Sequence, residues 1–122
     1  RTRECGLESG YVRTMFRIYI TPLSNVMAYL NSANGYTTFG TPILSTSAGL
    51  FHTLKLVGDL DKGKYARVLL DNKAYDLSTA AAYSTADTTA AHLYMATGLR
   101  NLAATPASSA YFDDVIITQN EP

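Results

Sequence analysis

The sequence predicts an all-β domain, folded as a two-sheet antiparallel sandwich. Short runs with period-two alternation, rich in β-branched and aromatic residues, recur along the chain. Gly, Asn, Asp and Pro punctuate them at turn spacing. No segment reads as a long helix, which leaves roughly seven to nine short strands, the pattern of a sandwich or barrel.

Residues 11–20 alternate with Val12, Phe16, Ile18 and Ile20 on one side and Tyr11, Arg13, Arg17 and Tyr19 on the other, as in a half-buried strand. Pro22 and Asn25 end it. Residues 26–31 read as the next strand, with Val26, Ala28 and Leu30 inward, and Asn34-Gly35 as a hairpin turn. Residues 36–39 and 42–46 are weaker strands. Residues 50–57 and 64–70 are expected to pair across the Asp59–Gly63 turn, where Gly63 takes a positive φ. Asp71-Asn72-Lys73 then turns the chain into a short strand, 74–77. Residues 78–90, rich in Ser, Thr and Ala, read as a loop with at most one helical turn. Residues 91–97 and 110–118 return to strand, separated by a loop at 103–109.

At 122 residues the chain fits a single domain, able to bury about two-thirds of its unfolded surface. Ten bases balance ten acids, and this argues against nucleic acid as a partner, since such binders neutralise phosphates. The charge is uneven: residues 1–50 carry Arg1, Arg3, Arg13 and Arg17 against Glu4 and Glu8. Cys5 is the single cysteine, so neither an internal disulfide nor a cysteine-based zinc site is expected. No apolar run approaches the ~20 residues of a spanning helix, and no membrane partner is expected. A start at Arg1 fits a module cut from a longer protein.

Catalytic signatures are absent from the sequence. Glu4 and Glu8 sit in the N-terminal tail, and Asp113-Asp114 are adjacent, hence on opposite faces of a strand. There is no Gly-x-Ser-x-Gly elbow and no Gly-rich phosphate loop. His52 and His92 lack zinc-site spacing, and His52, on the same face as Leu54 and Leu56, reads as a satisfied, partly buried histidine instead of a catalytic base. Asp59-x-Asp61-x-Gly63 matches the first half of a calcium loop, but loop position 12 is Leu70 where a Glu is needed. Calcium would have to recruit Asp71, Asp76 or Asp113, so no cofactor is expected.

Leu50-Phe51-His52-Thr53-Leu54-Lys55-Leu56-Val57, then Asp59, Gly63-Lys64-Tyr65 and Leu70-Asp71-Asn72-Lys73, resemble the laminin-G-like members of the concanavalin A-like lectin/glucanase superfamily. Tyr111-Phe112-Asp113-Asp114-Val115-Ile116-Ile117 looks like the closing strand of that group. Phe51 stands where those proteins often carry Trp. The resemblance implies a jelly-roll sandwich and makes a polysaccharide ligand thinkable, and it transfers no functional residue. The paired carboxylates of that superfamily's retaining glycosidases, which must flank one bond, have no counterpart in spacing here.

The alternation directs a set of aromatic and basic side chains away from the core. Arg17, Tyr29, Lys55, Tyr65, Arg67 and Tyr94 are the candidate ligand-binding residues, with Tyr19, Asn31 and His92 nearby in the pattern. Rings stack on the apolar faces of sugars, and guanidinium groups fork onto hydroxyls or carboxylates. The leading expectation is a non-catalytic carbohydrate-binding module. The competing one is a structural domain that self-associates into a homo-oligomer or packs on a partner, since Tyr and Arg also favour protein interfaces.

Overall fold

The computed structural model describes residues 11–21, 24–42, 44, 51–90, 92–98 and 111–119. It divides into two units, residues 1–91 and residues 92–122. The described part is all-β, with three antiparallel sheets and no helix.

Among the described residues, the first unit holds every strand: β1 (Tyr11–Met15), β2 (Ile18–Thr21), β3 (Val26–Leu30), β4 (Tyr36–Gly40), β5 (Leu54–Asp59), β6 (Lys64–Leu70), β7 (Lys73–Asp76) and β8 (Tyr83–Asp87). One sheet has the order β2-β3-β4, another β5-β6-β7, and β1 pairs with β8 in a two-stranded ribbon. The expected strand 11–20 is therefore two strands in two sheets. The break falls at Phe16 and Arg17. The Phe16 ring stands edge-on to Tyr65 at 5.2 Å, and the Arg17 amide donates to the Tyr65 hydroxyl instead of a ladder carbonyl.

The sheets β2-β3-β4 and β5-β6-β7 contribute to one core. Tyr65, Val68 and Leu70 from β6 are buried with Met27, and Phe16, Ile18, Ile20, Tyr29, Phe39 and Tyr75 pack against them. Rings meet between the two sheets: Tyr29 lies 5.1 Å from Tyr65, and Phe39 lies 5.6 Å from Tyr75. At Gly40 an added Cβ would come within 2.7 Å of the Tyr75 ring, so glycine there lets that ring seat.

Two bulges decide which way side chains point. On β4, Phe39 has no partner, because Met27 pairs with Gly40 and Ala28 with Thr38. On β6, Ala66 has none, because Val57 pairs with Arg67 and Gly58 with Tyr65. The inserted residue reverses the alternation, so Tyr65 shares the inward side with Val68 and Leu70.

The 78–90 stretch is more ordered than its composition suggested. Leu77, Ala80 and Ala82 are buried, and β8 follows. Small side chains let this backbone approach the sheet, where the Tyr65 amide donates to the Ala80 carbonyl and the Ala82 amide to the Gly63 carbonyl. Gly63 has φ 63°, as its turn requires. In the 31–35 turn Asn34, not Gly35, takes the positive φ of 62°. Asn31 braces that turn, its Oδ1 accepting from the Ala33 and Gly35 amides.

The second unit corrects two expectations. Residues 92–98 and 111–118 carry no strand, and every side chain in them is exposed. A strand exists only as part of a ladder, and neither segment has a ladder partner among the described residues. Of the weak strand 42–46, residues 42 and 44 are not strand, and 43, 45 and 46 lie outside the described residues. So do Cys5, Glu4, Glu8 and the 103–109 loop.

Candidate aromatic and arginine site

The five candidate residues of the first unit do not form one face. Tyr65 was expected outward and is 1 % exposed, because the Ala66 bulge turns it into the core. Tyr29 was also expected outward. β3 runs in regular register with β2, and Met27 and Tyr29 pack on the core while Ala28 and Leu30 take the opposite side. Lys55 lies half-buried on β5, in the other sheet. Arg67 lines an open depression of about 460 Å³ with Ala66, Ala74, Tyr75, Asp76 and Ser78. Tyr94 belongs to the second unit, where it is 78 % exposed.

Arg17 is exposed, and the structure does gather a group around it. The Leu30 amide donates to the Arg17 carbonyl, extending the β2–β3 ladder by one step and placing Arg17 opposite Leu30. Leu30 in turn pairs with Tyr36 of β4. The next row across the sheet is Tyr19, Ala28 and Thr38. The face outside the core thus presents Arg17 and Tyr19 from one side and Tyr36 and Thr38 from the other. Ala28 and Leu30 are the buried floor between them.

The geometry of this face is specific. Arg17 Nη1 donates to the Tyr36 hydroxyl at 3.2 Å, across the Leu30 row. The Tyr19 and Tyr36 rings meet edge to face, with centroids 4.8 Å apart and planes at 72°, and both remain about two-fifths exposed (40 % and 44 %). Tyr65 holds the arginine from below. Its hydroxyl accepts from the Arg17 amide at 3.0 Å and donates to the Leu30 carbonyl at 2.8 Å. Burial, foremost, pushes the Tyr65 phenol above its ordinary pKa. Among the described residues, no carboxylate lies within ion-pair distance of the Arg17 guanidinium. One of its five N–H donors is spent on Tyr36, so the fork retains capacity for a ligand oxygen.

Sequence reasoning missed Tyr36. It begins a strand that reads only weakly, Tyr-Thr-Thr-Phe-Gly, and the bulge at Phe39 breaks the alternation that would have pointed to it.

The acids have structural partners. Asp71, at φ 52°, takes His52 Nδ1 at 2.7 Å on one oxygen and the Thr53 amide at 2.9 Å on the other. Those bonds, the histidine's first, hold its carboxyl below the ordinary range. His52 is thus satisfied by a turn aspartate, with its side chain 28 % accessible. The Asp59 carboxylate accepts the Lys62 amide at 3.0 Å, and Asp76 accepts the Ser78 amide at 2.9 Å. Among the described residues, no three His, Cys, Asp or Glu side chains gather as metal ligands.

Comparison with known proteins finds no match among family models, curated proteins or solved structures.

Proposed function

We propose that this domain is a non-catalytic carbohydrate-binding module, built as a jelly-roll sandwich of the concanavalin A-like kind, with Arg17, Tyr19 and Tyr36 as its binding face. The observation that carries the reading is the Arg17–Tyr36 hydrogen bond beside two exposed, mutually perpendicular rings. Two tyrosines on a surface are ordinary. Two tyrosines locked edge to face, with a backbone-anchored arginine bonded to one of them, are a pre-organised surface that loses little entropy on binding. One ring face can stack on the C–H face of a pyranose while the guanidinium and the tyrosine hydroxyls take its ring substituents. An open sheet face with a neutral floor suits a chain of sugars more than a small molecule in a cavity.

Affinity electrophoresis of the whole chain through gels loaded with neutral and acidic polysaccharides tests this. Retardation by one class, lost in Tyr36→Ala and Arg17→Gln but retained in Tyr94→Ala, supports the site. Equal mobility in every gel removes the carbohydrate reading. Retardation unaltered by Tyr36→Ala and Arg17→Gln moves the site elsewhere.

A further inference from the structure

We infer that the ligand of the Arg17–Tyr19–Tyr36 face is an acidic polysaccharide, held by a uronate carboxylate in the Arg17 fork. The inference rests on the carbohydrate reading of that face and names the class of sugar.

The charge around the face is one-sided. From Ser9 to Gly58 the chain contains no Asp and no Glu, and Arg17 is the one charged residue between Thr14 and Phe51. β2, β3, β4 and the turns between them therefore bring one neighbouring cation to their sheet and no anion. Arg13, the next base in the chain, is already held by Asp87 at 3.7 Å on the β1–β8 ribbon. Arg17 differs. Its side chain is exposed, its guanidinium makes one bond among the described residues, to the neutral Tyr36 hydroxyl, and the rest of its fork is open. An unopposed guanidinium of this kind is complementary to an anion.

Hydrogen-bond polarity points the same way. The Tyr36 hydroxyl accepts from Arg17 and keeps its own proton to donate. The Tyr19 hydroxyl makes no hydrogen bond among the described residues. Donors therefore gather here, while the rows Arg17–Leu30–Tyr36 and Tyr19–Ala28–Thr38 hold no side-chain carboxylate or amide to accept. A neutral sugar hydroxyl donates as well as accepts and needs an acceptor opposite it, whereas a carboxylate only accepts. A uronate unit carries that carboxylate at the edge of the same ring whose C–H face stacks on tyrosine. Arg17 and Tyr19 stand two residues apart, roughly 7 Å of extended backbone, so a ring seated on Tyr19 has its edge within reach of the guanidinium. The planar fork meets both carboxylate oxygens in parallel bonds. A densely sulfated chain calls instead for clustered bases, and this face has one cation.

Affinity electrophoresis of the whole chain through polygalacturonate, alginate and hyaluronan, each beside its methyl ester, tests the class. The esters keep the sugar backbone and remove the charge, so the native protein alone decides the question. Retardation by at least one uronan, weaker by about tenfold or more in its ester, is expected. Arg17→Gln should lower the uronan affinity to that of the ester, and Arg17→Lys should recover only part of it. Arg13→Gln should leave it unchanged, which separates the fork from general attraction to a polyanion. Acid and ester retarded alike, both lost in Tyr36→Ala, overturn the acidic class and leave the carbohydrate module standing. So does retardation by dextran sulfate or by neutral dextran with none by the uronans. Equal mobility in every gel, neutral ones included, removes the module and this inference with it.

Discussion

The Tyr65 hydroxyl and the Arg17 amide meet at 3.0 Å, 48 residues apart in the chain, at the point where the strand leaves one sheet for another. A buried phenol thereby fixes the backbone of an exposed arginine. Tyr65→Phe keeps the ring and its contacts with Phe16 and Tyr29 but leaves the Arg17 amide and Leu30 carbonyl without this partner. It should cost about 1–3 kcal/mol in urea unfolding, from the desolvated groups left behind. Tyr65→Ala should cost more, about 3–5 kcal/mol, because it also opens a cavity. The native protein should lose stability at alkaline pH more steeply than Tyr65→Phe. The folded phenol titrates above its unfolded value, so its contribution is complete below pH ~10 and disappears as pH rises through the higher folded value.

Tyr36→Ala separates binding from folding. The residue is 44 % exposed, so its loss should change stability by less than about 1 kcal/mol. Polysaccharide affinity should fall about tenfold or more, measured by affinity electrophoresis, because both the ring and the anchor of Arg17 Nη1 disappear.

Gly58 is a packing constraint. A methyl group there would come within 2.6 Å of the Phe16 ring, which is itself seated against Tyr65. Gly58→Ala should destabilise the domain by about 1–3 kcal/mol in urea unfolding. Adding Phe16→Leu should recover part of that, since the smaller side chain yields the space.

The Asp71 turn predicts an acid dependence. Its carboxyl titrates below the ordinary value because His52 and the Thr53 amide favour the anion. Its contribution is therefore present above the unfolded pKa of ~3.9 and is lost as pH falls through the lower folded value. Asp71→Asn should flatten the decline of stability below pH ~4, followed by thermal unfolding across pH 2–6. An unchanged acid limb would exclude the turn as its source.

Much of the strand inventory is legible in the sequence because alternation of branched and aromatic residues is a direct record of a pleated, half-buried surface. The meander of β5, β6 and β7 reads clearly, and so does the outward set Arg17 and Tyr19. What one sequence conceals is parity. An inserted Ala66 sends Tyr65 inward, and an inserted Phe39 obscures Tyr36, because a bulge leaves almost no mark in composition. The buried Ala80 and Ala82 were hidden for a different reason: small residues have too little side chain to produce a periodic signal. Residues 92–98 and 111–118 show the converse, with strand-like composition and no ladder.

The ribbon of β1 and β8 has a kinetic consequence. Every other strand pair among the described residues joins neighbours in sequence, whereas Thr14 and Ser84 meet across 70 residues. Loop closure opposes a contact of that span until the intervening chain is compact. The hairpins should therefore assemble early, with the ribbon zipping last and fraying first. In hydrogen exchange, the amides of Tyr11–Met15 should report local opening while those of Lys64–Leu70 report global unfolding.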